Sequence, residues 1–239
     1  MYIRSFLFLF AVAGSACAGD GFEVSHKSDS AQAKPMAWSL QLLEKGKHVF
    51  DKRGPKKAPG ATLSFRLPKV DVDQGENQVV IVRADRRIPV TMLSNNTFVL
   101  GQDNLGKSSD ALVVVNRNFP KGEFNHPLVQ VRSPGLPGGV RRMGDLRLSC
   151  EAQMEMAKGE GFKFRALVGA VNMFGFDICK ELEITKLDAP SSKYDTVTVE
   201  DGNRRLVQAA KDKNVVELGD NAWSDDARIS YTLNGSLVE

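Results

Sequence analysis

The polar residues best placed to do chemistry sit in one block, Arg141-Arg142-Met143-Gly144-Asp145-Leu146-Arg147-Leu148. Three guanidiniums around one carboxylate suit an anion- or glycan-binding edge, because the planar fork of arginine matches a carboxylate or phosphate. They also suit a salt-bridged corner, in which Asp145 caps or pairs with a neighbouring arginine. The corner is the preferred reading, and Arg141, Arg142, Asp145 and Arg147 remain the candidate binding residues. A second acidic pair, Asp225-Asp226 after Trp223-Ser224, could begin a strand, bind a cation or hold the arginine block through ion pairs. The last is favoured, because arginines that are partly buried need partners. Asp71-Val72-Asp73 puts two acids on one strand face but lacks the spacing of a calcium loop, so it reads as an exposed acidic turn.

A catalytic set does not assemble. The three histidines, His26, His48 and His126, lie far apart, and none has a metal-ligand companion at a usual spacing. No serine stands in a G-x-S-x-G elbow. We therefore expect no catalytic residues, no metal site and no cofactor.

The cysteines direct attention to the N-terminus. Residues 1–18, MYIRSFLFLFAVAGSACA, carry one early charge (Arg4), an apolar run from Phe6 to Val12 and small residues to Ala18. That is the layout of a secretory signal peptide, with Ala16 and Ala18 as the cleavage site and Gly19 as the mature N-terminus. An alternative is a lipoprotein box ending at Cys17, although Gly14 replaces its preferred large aliphatic residue. Cys17 leaves with the signal in the first case and carries lipid in the second. Cys150 and Cys179 remain as an even pair in an oxidising compartment, where a disulfide is expected. The apolar run is too short to span a bilayer, which takes about 20 residues.

Removing residues 1–18 takes away only Arg4, leaving 31 Lys and Arg against 29 Asp and Glu. This near-neutral balance gives no support to nucleic-acid binding. The single basic run, Lys52-Arg53-Gly54-Pro55-Lys56-Lys57, reads as part of a solvated loop.

The elements that must hold these residues read mostly as strands. Residues 19–35 form a polar, flexible lead. Trp38, Leu40 and Leu42 alternate with polar residues, and Glu44–Lys47 turns the chain, which predicts a hairpin over 38–50 followed by a loop over 51–60. Short strands follow at 61–67, 78–83, 88–93, 97–100 and 111–115, with Pro89 marking an edge or bulged strand. The loop 133–139, SPGLPGG, separates a strand at 128–132 from one at 145–152. The helix is expected at 161–174, with Gly175 as its C-cap. Strands return at 179–187, 196–200, 204–208, 215–218 and 229–233, with Asp201-Gly202 as a hairpin turn. The fold expected is mainly β, antiparallel and sandwich-like, with one helix near 161–174. Its organisation is a signal at 1–18, a lead at 19–35, a sandwich-like region at 36–132, the loop 133–139 and a second β region with the helix and disulfide at 140–239.

Two resemblances add to this reading. VVIVRADRRIPVTMLSNNTFVL (79–100) resembles the strand–turn–strand pattern of transthyretin-like, carboxypeptidase-regulatory sandwiches, which bears on fold alone. VRSPGLPGGVRRMGDLRLSCEA (131–152) and WSDDARISY (223–231), with Cys179 between them, resemble an uncharacterised family of exported proteobacterial proteins. That family has an S-P-G-x-P loop, an R-R-x-G-D-L-R-L-x-C strand, a later cysteine and a closing S-D-D-A segment. It implies export but no activity.

Together these readings give an exported protein, periplasmic or envelope-associated, acting as a non-enzymatic binding or structural module. Its expected partner is an envelope protein or glycan, with neither nucleic acid nor a transmembrane helix involved. The alternative is an enzyme acting on envelope glycans through carboxylates such as Asp225 and Asp226, which in a glycoside hydrolase would converge in a cleft at roughly 5–9 Å.

Overall fold

Alternating apolar residues build three antiparallel sheets. The computed structural model describes residues 36–67, 77–84, 86–93, 96–101, 110–116, 126–159, 177–185, 193–211 and 216–238. The expected signal, the lead, the Asp71–Asp73 turn and the helix at 161–174 lie outside these residues.

The first sheet contains β1 (Ala37–Ser39), β3 (Val79–Arg83), β4 (Arg86–Val90) and β7 (Leu112–Val115), in the order β1-β7-β3-β4. Pro89 sits on the edge strand β4, where a missing N–H costs no ladder bond. The second sheet contains β2 (Thr62–Arg66), β5 (Met92–Leu93), β6 (Thr97–Phe98) and β8 (Leu128–Arg132), in the order β5-β6-β2-β8. Their inward residues, among them Ile81, Val113, Phe65, Phe98 and Val131, share one buried core. The third sheet is β11-β10-β12-β13, with β9 (Val140–Arg142) added alongside β12. Its strands are β10 (Thr196–Asp201), β11 (Arg204–Ala209), β12 (Arg228–Leu233) and β13 (Ser236–Leu237). Gly202, at φ +57°, makes the β10–β11 turn as expected. The fold is mainly β, antiparallel and sandwich-like.

Three helices replace expected strands and loops. The segment read as a hairpin over 38–50 and a loop over 51–60 is the short strand β1 followed by helix α1 (Leu40–Lys57). Gly46, read as a turn, is instead a point of close approach. A Cβ there would lie 2.8 Å from Met156 Sδ and 3.4 Å from Ala152 O, so the missing side chain lets α1 settle against the next helix. Pro55 lies in the last turn of α1, and the helix ends two residues beyond it.

The strand expected at 145–152, including the R-R-x-G-D-L-R-L-x-C segment, is β9 followed by helix α2 (Met143–Lys158). The alternation of Leu146 and Leu148 is real, but the two leucines serve different cores. Leu148, Ala152 and Met156, four residues apart, join the sandwich core. Met143, Leu146 and Cys150 join a second core with Val197, Val199, Ile229 and Trp223 beneath the third sheet. The strand expected at 179–187 begins instead as the short helix α3 (Ile178–Glu181).

A third row on α2 closes a sheet edge. β8 is the terminal strand of its sheet, so alternate N–H groups face outward. They find side chains of α2. Ser133 N donates to Asp145 Oδ2 at 2.8 Å, Val131 N to Ser149 Oγ at 2.9 Å and Val129 N to Gln153 Oε1 at 2.6 Å. The match is metric. Four residues of helix rise about 6 Å and two residues of strand about 6.8 Å, so a row at 145, 149 and 153 keeps step with 133, 131 and 129.

Candidate functional site

The candidate binding residues occupy the start of α2, and most of their polar groups are already bonded within the fold. Asp145 lies in the first turn, where a carboxylate also favours the helix dipole. It is 0 % exposed. Besides the Ser133 amide, it accepts the Ser133 hydroxyl, at 2.7 Å to Oδ1. Arg142 Nη1 donates to the same hydroxyl oxygen at 3.0 Å, and its Nη2 pairs with Asp226. Asp145 thus ties the Pro/Gly loop to the helix, with Ser133 standing between its carboxylate and Arg142.

Arg147 is a cross-link. Its Nε donates to Leu218 O at 2.6 Å, Nη1 to Asp225 Oδ1 at 2.7 Å, and Nη2 to the Asp220 and Trp223 carbonyls at 3.0 Å each. One guanidinium therefore holds the 218–225 segment against α2. The same segment caps the helix from the other side. Met143 N donates to Ala227 O at 2.8 Å and Gly144 N to Asp225 O at 2.9 Å, which supplies partners for first-turn amides that the helix leaves open. Gly144 is required here, because a Cβ would fall 2.1 Å from Lys57 O.

Arg204 and Asp201, beside the β10–β11 turn, complete the enclosure. The Arg204 guanidinium lies 4.1 Å from the centre of the Trp223 ring, and its Nη1 donates to Ala222 O at 2.6 Å. Asp201 accepts Ser224 N at 2.7 Å and the Ser224 hydroxyl at 2.8 Å. The Ser224 amide, and after it the hydroxyl, hold the Asp201 carboxyl below its ordinary pKa by stabilising the charged form. These contributions of Asp201, Arg204 and Ser224 were missed from sequence. The Asp-Gly turn marked the hairpin but gave no sign that its flanks would reach 18 to 23 residues further along the chain.

Asp225 and Asp226, the carboxylates of the enzymatic alternative, meet Arg147 and Arg142 respectively, as the ion-pair expectation has it. Cys150 and Cys179 are joined in a disulfide with Cα atoms 5.8 Å apart, linking α2 to α3. The bond borders a cleft of about 630 Å³ between α1, α2, the start of α3 and the segment 218–225. Each acid lining it has a cation. Glu151 pairs with Arg53 at 2.8 Å and Lys57 at 2.6 Å, Glu155 with Lys158 at 3.1 Å, Asp177 with Lys180 at 3.8 Å and Asp225 with Arg147.

Arg141 departs from its neighbours. It reaches the outer face of β8, where the Gln130 carboxamide, turned so that its oxygen faces the cations, accepts from Arg141 Nη2 and Arg66 Nη1 at 3.2 Å each. Of the histidines, His48 is exposed on α1 and His126 lies with Nδ1 2.7 Å from Gln153 Nε2. Among the described residues no group of three or more His, Cys, Asp or Glu could hold a metal ion, and no helix is long and apolar enough to cross a membrane. Comparison of the chain with protein-family models, with curated proteins and with solved structures gives no match.

Proposed function

We infer that the protein is exported and serves as a non-enzymatic binding or structural module of the cell envelope. The observation that carries this reading is the use already made of the polar residues around α2. A glycoside hydrolase needs one carboxyl that holds a proton and a second that is free to act as base or nucleophile. Asp225 is held by the Arg147 guanidinium at 2.7 Å and is used as a cross-link. Asp226 pairs with Arg142 and is 83 % exposed, outside any water-excluding pocket. Asp145 is buried and occupied by two donors from Ser133. The signal-like N-terminus and the Cys150–Cys179 bond support export to an oxidising compartment.

The test is turnover. Incubated with envelope glycans, the purified protein should release no new reducing ends. Release that disappears in Asp225→Asn or Asp226→Asn would overturn the reading in favour of the enzyme. Intact mass of the exported chain should place the N-terminus at Gly19. A diacylglycerol increment on Cys17 would make the protein a lipid-anchored member of the envelope.

A further inference from the structure

We propose that the free edge of β11 is a strand-addition site for a second copy of this chain, giving a twofold dimer in which the third sheet continues from one protomer into its partner. A sheet edge presents unpaired N–H and C=O groups, and folded proteins blunt it with short strands, proline, charge or a cover. The other described edges of this fold are blunted in those ways. β8 is covered by side chains of α2. β4 carries Pro89, and β1, β5, β9 and β13 are two or three residues long. β11 is six residues long, contains no proline and ends its sheet. Its two charges are engaged within the protomer, Arg204 over the Trp223 ring and Arg205 with Glu200 at 3.0 Å.

The ladder shows which groups the edge offers. Ala210 N donates to Asp195 O at 2.7 Å, and these two residues face each other one step beyond Thr196 and Ala209. Bonded pairs alternate along an antiparallel ladder. Leu206 therefore bonds to Val199 of β10, while the N–H and C=O of Arg205 and Val207 point to the free edge. The Val207 side chain, 52 % exposed, is the most exposed large aliphatic one among the described residues.

The occupant follows from the chain's own edges. Among the described strands only β11 can answer an edge of this length, because Pro89 takes an outward donor from β4, α2 covers β8 and the other edge strands are too short. Edge-to-edge association of this chain therefore joins β11 to β11 about a twofold axis and closes at two copies. With Leu206 on that axis, Arg205 exchanges both backbone bonds with the partner's Val207, and Val207 does the same with the partner's Arg205. Four hydrogen bonds form and no arginine faces an arginine. Leu206, partly buried at the margin of the core beneath the third sheet, packs on its own mate and joins the two cores. So short an edge buries less than a standard interface, so the dimer forms reversibly and dissociates on dilution.

The test uses the full exported protein. Sedimentation equilibrium over a wide range of concentration should show reversible dimerisation. Amide exchange should slow at Arg205 and Val207 as concentration rises, while Leu206, already bonded to β10, should change little. Val207→Lys sets a lysine opposite the partner's Arg205 twice in the dimer and should weaken association by about 2- to 30-fold. Val207→Glu should tighten it, a gain that a misfolded variant could not show. Val207→Pro, which removes an outward N–H but no ladder bond, should leave the protein monomeric. A monomer at every concentration, slow exchange at Arg205 or Val207 in dilute protein, or a dimer indifferent to the charge placed at Val207 overturns the proposal. Protection of the two amides only in the presence of another envelope protein assigns the edge to a different chain and overturns it too.

Discussion

The row Asp145–Ser149–Gln153 should make a graded contribution to stability, because one repeated geometry meets three degrees of burial. Asp145→Ala removes two charge-assisted bonds to Ser133, whose amide and hydroxyl are then left without water. At about 1.5–3 kcal/mol for each bond to a charged group, the loss for the two is about 3–6 kcal/mol. Ser149→Ala strands only the buried Val131 amide, a cost of about 1–3 kcal/mol. Gln153 is itself partly exposed, so Gln153→Ala opens a place that water can fill to meet the Val129 amide, and the cost is under about 1 kcal/mol. The assay is urea unfolding followed by tryptophan fluorescence. With a slope of roughly 2–3 kcal/mol per molar, Asp145→Ala should lower the midpoint by about 1–3 M. Amide hydrogen exchange adds a local reading, since Ser149→Ala should expose Val131 before its neighbours. Three equal losses, or a loss below about 1 kcal/mol for Asp145→Ala, would refute the account of α2 as the cover of the β8 edge.

Three further outcomes follow from the same geometry. Replacing Cys150 and Cys179 by serine opens a closure spanning 29 residues and should lower stability by roughly 3–4 kcal/mol, and two free thiols in unfolded, unreduced exported protein would contradict the bond. Gly46→Val should cost about 1–3 kcal/mol in chemical unfolding, because its side chain meets Met156 Sδ across the helix contact; an unchanged midpoint would mean that α1 and α2 are not in close approach there. Asp201 should titrate below the ordinary aspartate range, and Ser224→Ala should return it upward, as read from the carboxyl carbon shift. Its folded pKa is lowered, so its support is present above the unfolded value and lost as pH falls through the folded one. A titration at the ordinary value would refute the bonds from Ser224.

The strands were legible because their information is local. Leu63 and Phe65 alternate with Thr62, Ser64 and Arg66, and the structure buries the first set and leaves the others half-buried or exposed. Pro89 announced an edge, and Asn96 at φ +57° fills the left-handed turn its residue type allows. The pairing of Asp225 and Asp226 with the arginine block was legible as a matter of charge. The identity of each pair was not, since Arg147 and Asp225 stand 78 positions apart.

The helices were hidden for a definite reason. Periodicity reveals an element that shows one face to a core and the other to water. Helix α2 shows one row to the sandwich core, another to the third sheet and a polar row to the β8 edge, so Asp145 and Ser149 are buried beside Leu146 and Leu148 and no single stripe survives. In α1, Gly46 carries no side chain because Met156 needs the space, a demand set by a residue 110 positions away. The sequence by itself determined many of the strands, the Asp201-Gly202 turn and the cysteine pair. Only tertiary structure decided which acids and arginines became cross-links, because those outcomes depend on distances between segments that the chain keeps far apart.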